Sequence, residues 1–181
     1  MLAVLAKFTL YPILALIFRT RVHGKRPKLK GPALVAVNHI SRVDGILISH
    51  LFTLKRLKFM VIKTIFRKPL HGFFSSLMGM YPAEGYGSSL ELLDKGETVV
   101  IFPEGTRSPY EIKPFQPGVI VLAMESGVPI YPIRIHRPLS FARRTEVTFG
   151  EPIYYEKPPH ALTPALLREK AEELRQIIKA L

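Results

Sequence analysis

A histidine and an aspartate stand five positions apart in the stretch Asn38-His39-Ile40-Ser41-Arg42-Val43-Asp44. A carboxylate that reaches an imidazole fixes its tautomer and stabilises the imidazolium formed when the ring accepts a proton. Such a pair can work as a general base. The competing reading is that Asp44 caps a helix beginning at Gly45 and that His39 is an ordinary loop histidine. A second polar stretch, Phe102-Pro103-Glu104-Gly105-Thr106-Arg107-Ser108, offers different chemistry. Gly105 lets the backbone approach a ligand closely. Arg107 carries a planar fork that suits a phosphate, with the Thr106 hydroxyl beside it. Glu104 either holds Arg107 or accepts a hydrogen bond from a substrate hydroxyl; alone, the stretch reads equally as a Glu–Arg surface turn. With no cysteine in the chain, thiolate nucleophiles, disulfides and cysteine metal sites are excluded. One His and one Asp at this spacing lack a nearby third ligand, so no metal centre is expected. Nothing marks Ser41 as a nucleophile.

Both stretches follow apolar runs that read as buried strands. Pro32 to Val37 precedes Asn38-His39, and Thr98 to Phe102, apolar throughout after Thr98, leads into Pro103-Glu104. Further strands are predicted at Leu57 to Ile62, Val128 to Ile135 and Glu146 to Phe149. Pro132 suggests that the fourth of these lies near an edge or a bulge. Helices are predicted at Gly45 to Leu54, at Ser88 to Lys95 before Gly96, and at Pro117 to Ser126 before Gly127. A last helix starts at Thr163-Pro164, with Leu167, Leu174, Ile178 and Leu181 on one face. Lys63 to Met80 reads as a loop with a short helix. Its apolar residues (Ile65, Phe66, Leu70, Phe73, Phe74, Leu77, Met78) could line an acyl slot or belong to the core. Strands alternating with helices predict an α/β domain with a mainly parallel or mixed sheet flanked by helices. Ligand sites in such sheets lie beyond the carboxyl ends of the strands, where both polar stretches fall.

The 181 residues suit one domain with a real core, and a 48% hydrophobic share excludes a disordered chain. Mean hydropathy is high for a soluble protein, at +0.17. The formal net charge is +12, and its distribution is informative. No acid occurs before Asp44, whereas Lys7, Arg19, Arg21, Lys25, Arg26, Lys28, Lys30 and Arg42 are basic. An anionic partner is implied. The basic cluster follows the greasy stretch Met1 to Phe18 and lacks interleaved aromatics, which favours a phospholipid surface over nucleic acid. Interrupted by Pro12, the greasy stretch is short for a bilayer span and lacks the marks of a cleaved signal peptide. It is expected to form a membrane-interface helix on the cytoplasmic face, the basic run meeting anionic headgroups. Residues 1–30 are thus read as an anchoring segment and 31–181 as the α/β domain. The alternative is an ordinary buried N-terminal helix with a solvated linker.

In combination, His39 with Asp44 and then Glu104-Gly105-Thr106-Arg107 some sixty residues on resemble the glycerolipid acyltransferases, in particular the 1-acylglycerol-3-phosphate acyltransferases. Ile65 to Pro82 (IFRKPLHGFFSSLMGMYP) is similar to that family's intervening segment, and Val128 to Ile133 (VPIYPI) to its last block. The resemblance runs from about Pro32 to Pro152. It implies acyl transfer from acyl-CoA or acyl carrier protein to a lipid hydroxyl, the thioester being a co-substrate, with no cofactor. His39 would be the base and Asp44 its orienter. Glu104, Gly105, Thr106 and Arg107 would hold the acceptor phosphate, with Asn38 among the substrate-binding residues.

Two departures fall on the acceptor side. Pro82-Ala83-Glu84-Gly85-Tyr86-Gly87 lacks the family's arginine, and Phe115-Gln116-Pro117-Gly118 lacks its basic residues. Lys63, Arg67, Lys68 or Lys113 would then supply the missing cations, or the acceptor is another lipid: a lysophospholipid, an amino-acid lipid or a glycolipid. A hydrolase using the same pair on water and a non-enzymatic basic membrane-binding protein are the remaining alternatives.

Overall fold

A computed structural model describes residues 19–52, 57–61, 79–82, 85–138 and 144–181. The expected interface helix, Lys63, Arg67, Lys68 and the candidate acyl slot lie outside the described residues. Seven strands form one mixed sheet: β1 (Arg21–His23), β2 (Ala33–Val37), β3 (Leu57–Val61), β4 (Met80–Pro82), β5 (Thr98–Ile101), β6 (Ile130–Ile135) and β7 (Glu146–Phe149). The helices are α1 (Asp44–Leu51), α2 (Gly87–Asp94), α3 (Gly118–Ser126) and α4 (Pro164–Ala180).

The order across the sheet is β1-β7-β6-β2-β5-β3-β4. Five strands, β6 to β4, run parallel, and β7 pairs antiparallel with β6, with β1 parallel to β7. β2 and β5 are buried at every position, as their continuous apolar sequences require of strands covered on both faces. Leu34 lies opposite Val99 on one side and Ile130 on the other. This register brings the carboxyl ends of β5, β2 and β6 side by side.

Alternate β2 residues feed two cores. Leu34 and Ala36 pack with α2, α3 and α4, while Val35 and Val37 pack with α1 and with Phe59, Ile133 and Phe149. Six of the nine α3 residues are buried, consistent with a helix that is apolar nearly all round. α4 is amphipathic and buries Ala171, Leu174 and Ile178. Its start is fixed by Thr163, whose hydroxyl accepts from the Leu166 amide at 3.2 Å, and by Pro164 in the first turn.

Three features depart from the sequence expectations. Arg21–His23, inside the basic run read as anchor, is a strand of the sheet and pairs with β7. Met80–Pro82 pairs with β3 as the far edge strand. Pro132 sits in the sheet interior, opposite Ala36 of β2. It is tolerated there because it lies one residue beyond the last β6–β7 ladder pair, Ile133 with Phe149. Its carbonyl still accepts from the Gly150 amide at 2.9 Å, so only one potential ladder donor is lost.

Candidate functional site

The loops leaving β2 and β5 are joined by a small set of hydrogen bonds centred on His39. Its Nδ1 lies 2.9 Å from Asp44 Oδ2, so the sequence-predicted pair is brought together. The same oxygen accepts the Ile40 amide at 2.7 Å and the Ser41 amide at 2.8 Å. Asp44, only 2% exposed, therefore closes the turn Asn38–Asp44 around a single carboxylate oxygen. It sits in the first turn of α1, where the helix favours an acidic residue, but it makes no cap to the helix backbone. The His39 ring is part-exposed and stacks on Phe102 with centroids 4.3 Å apart and planes at 25°. The aromatic floor and the carboxylate together restrict the ring to one orientation, with Nε2 left as the second nitrogen. The role of Phe102 was not read from the sequence, although it opens the second polar stretch.

Asn38 and Glu104 are buried brackets on either side. The Asn38 amide donates to the Ile135 carbonyl at 2.9 Å, and its oxygen accepts the Ile135 amide at 2.7 Å. That two-bond pairing extends the β2–β6 ladder beyond its last residues. Glu104 accepts the His39 amide on one oxygen at 2.8 Å and the Lys113 amide on the other at 2.9 Å. The Ser108 amide adds a 2.7 Å bond to the His39 carbonyl. The main chain of His39 is thus held from both sides by the β5 loop. For Asn38 and Glu104 the geometry is that of positioning groups. Burial pushes the Glu104 carboxyl above its ordinary pKa, opposed by the two amide donors and by the nearby charges of His39 and Lys113.

Gly105, Thr106 and Arg107 are exposed beside this frame. Gly105 has a φ of +67°, and its amide donates to the Phe102 carbonyl at 3.0 Å, closing a tight turn. Gln116 stands against that turn: its side chain lies 3.6 Å from where a Cβ at Gly105 would sit, and its main-chain N–H donates to the Pro103 carbonyl at 2.7 Å. Lys113 is brought to the site through Glu104, whereas Lys63 falls outside the described residues. Among the described residues no group of three or more His, Asp or Glu could hold a metal ion. A base with a fixed carboxylate partner, next to an exposed turn carrying a guanidinium and a hydroxyl, can deprotonate a hydroxyl on an anionic molecule.

A family model described as Acyltransferase matches residues 19–136. The chain is 31% identical over 146 residues to a chloroplastic 1-acyl-sn-glycerol-3-phosphate acyltransferase of Brassica napus, covering 72% of this chain and 40% of that protein. It is 32% identical over 130 residues to a lyso-ornithine lipid O-acyltransferase of Pseudomonas aeruginosa, covering 67% of this chain and 48% of that protein. It thus spans less than half the length of either curated relative. Among solved structures, the 1-acyl-sn-glycerophosphate acyltransferase PlsC of Thermotoga maritima shares the fold. Its TM-score is 0.68 at 22% identity, over 97% of this chain and 82% of that one.

Proposed function

The chain belongs to the acyltransferase family, and from that premise we propose that it transfers a fatty acyl group from a thioester to the hydroxyl of a lysophospholipid. The donor is acyl-CoA or acyl carrier protein, and the acceptor is 1-acylglycerol-3-phosphate, giving phosphatidic acid. The observation that carries this reading is the His39–Asp44 contact, with one carboxylate oxygen holding both the ring and its loop. With Nδ1–H donating to Asp44, Nε2 is the free base. It takes the acceptor's hydroxyl proton as that oxygen attacks the thioester carbonyl. The tetrahedral intermediate collapses with loss of thiolate, and the imidazolium returns the proton to sulfur. No acyl-enzyme forms. General-base assistance accounts for roughly 10²–10⁴ in rate, and positioning of the acceptor by Thr106 and Arg107 supplies much of the remainder. The greasy, basic N-terminal segment holds the protein on the cytoplasmic face of a membrane, where both lipids reside.

The test is thiol release by purified protein in detergent, with acyl-CoA and lysophosphatidate. His39→Ala is expected to lower the rate by about 10²-fold or more. Equal rates for wild type and variant would remove His39 as the base. A second acceptor is favoured by two observations. The relative from Pseudomonas aeruginosa acts on a lyso-ornithine lipid, and Gln116 stands where the family resemblance leads one to expect a cation near the phosphate. A panel of lyso-lipid acceptors in the same assay separates the two readings.

A further inference from the structure

A cleft of about 290 Å³ opens beside the β2 loop, between the carboxyl end of β6, the 109–112 segment and the last turns of α4. Asn38 and Ile40, the neighbours of His39 in the chain, form part of its wall, whereas His39, Asp44 and the Gly105–Arg107 turn do not. It therefore adjoins His39 without including the turn assigned above to the acceptor phosphate. Its lining carries three basic side chains, Arg134, Arg175 and Lys179, against the Glu111 carboxylate, with Arg175 also paired to Glu172 just outside it.

Two of these side chains are fixed by backbone carbonyls, one on the 109–112 segment and one on α4. Arg175 Nε donates to the Ile112 carbonyl at 2.9 Å, and its Nη1 donates to Glu172 at 2.7 Å. Arg134 Nη1 donates to the carbonyl of Lys179. A guanidinium has five N–H donors, so each retains donors beyond these bonds, already oriented and with little rotamer freedom left to lose on binding. Concentrated positive charge on a rigid frame suits a phosphate ester. The volume accommodates a phosphate with a short part of the molecule attached, but neither a long acyl chain nor a protein surface.

We propose that this cleft binds a phosphate of a coenzyme A thioester, placing the acyl donor on the β6 side of His39 while the acceptor occupies the β5 side. The assignment rests on the acyl-transfer reading above. It gives the two substrates separate anion sites on opposite flanks of one base, so the thioester carbonyl and the acceptor hydroxyl meet at the His39 ring.

Lys179→Glu is the informative variant, because Lys179 is exposed on the last turn of α4 and its side chain supports no core residue. With the full chain in detergent, we expect the KM for acyl-CoA to rise roughly tenfold. The KM for lysophosphatidate and the rate with an acyl-S-N-acetylcysteamine donor, which lacks phosphate, should stay within about twofold of wild type, and the melting temperature should fall only by the small amount that losing a cation from a helix C-terminus brings. Equal effects on both donors, or none on either, would overturn the proposal. Equilibrium binding of free coenzyme A provides a readout independent of turnover, and the same variant should weaken it by a similar factor. Charge-dependent binding without turnover would count against acyl transfer and keep the cleft, whereas turnover with an unaffected variant would do the reverse. Loss of binding to anionic phosphatidylglycerol vesicles with coenzyme A binding intact would assign the cleft to a lipid headgroup and overturn the donor assignment.

Discussion

The Asp44 carboxylate concentrates three bonds on one oxygen, which allows charge and geometry to be separated. Asp44→Asn can keep an oxygen in that place and preserve the turn while removing the charge that stabilises the imidazolium. A fall in kcat of about 10²-fold or more, with a nearly unchanged melting temperature, is expected. Asp44→Ala should also cost about 2–3 kcal/mol of stability, because it strands the Ile40 and Ser41 amides. Equal kcat values for Asn and Asp at this position would remove the electrostatic role. Glu104 differs, since each of its oxygens accepts a separate amide. Glu104→Gln must turn an NH₂ toward one amide donor, and a loss of about 1–3 kcal/mol is expected in chemical denaturation. Two histidines set a pH dependence. Burial lowers the pKa of His50 and of His136 below the ordinary 6.5, assisted by the charges of Arg26 and Arg134 respectively. The unfolded chain then binds protons more readily, so stability should fall as pH drops through about 6.5. Thermal melts of wild type and His136→Gln between pH 5.5 and 7.5 check this; an identical slope in the variant would exclude a contribution from His136.

At the scale of elements, the site depends on three adjacent strand ends, and the edge strands decide what else the sheet carries. β1 is only three residues long and is terminated by Gly24, whose φ is +73° and whose added Cβ would lie 2.3 Å from the Phe149 carbonyl oxygen. Gly24→Ala therefore combines backbone strain with a main-chain clash. It should detach β1 from β7 at a cost of about 1–3 kcal/mol, read as a lower melting temperature and faster amide exchange at Val22 and His23. Unchanged exchange there would show that the edge accommodates the side chain. Pro132 makes a related point. Sequence reasoning placed it near an edge because a proline removes one ladder bond, but the position of that one donor beyond the ladder end makes an interior strand acceptable.

At the scale of the whole molecule, no helix among the described residues is long and apolar enough to cross a membrane, and the membrane attachment proposed above is assigned to the N-terminal segment and the basic surface. Because Arg21–His23 belongs to the sheet, the anchor should be tested by deleting residues 1–18, leaving β1 in place. We expect the truncated protein to fold and to lose most co-sedimentation with anionic vesicles. In the full chain, binding should weaken as salt rises, since surface charge is screened within about 10 Å at 0.1 M. Undiminished co-sedimentation after truncation would assign attachment to another surface.

The sequence by itself marked the strands β2, β3, β5, β6 and β7, the bounds of the described helices to within a few residues, and the residues of the His39–Asp44 pair and of the exposed turn. Those features are local: continuous apolar runs, helix-ending glycines, and polar residues set directly after strands. What only the tertiary structure decided is how those residues divide their work. Asn38 and Glu104 are separated from their partners by 97 and 65 residues, and such distant pairing follows from strand order, which no local pattern encodes. The edge strands β1 and β4 escaped notice because three-residue segments carry too little periodicity to read. The cleft of Arg134, Arg175 and Lys179 was hidden because its walls are distant in sequence. Its cations come from β6 and α4, far apart along the chain, and meet only because α4 packs across the sheet beside the carboxyl end of β6.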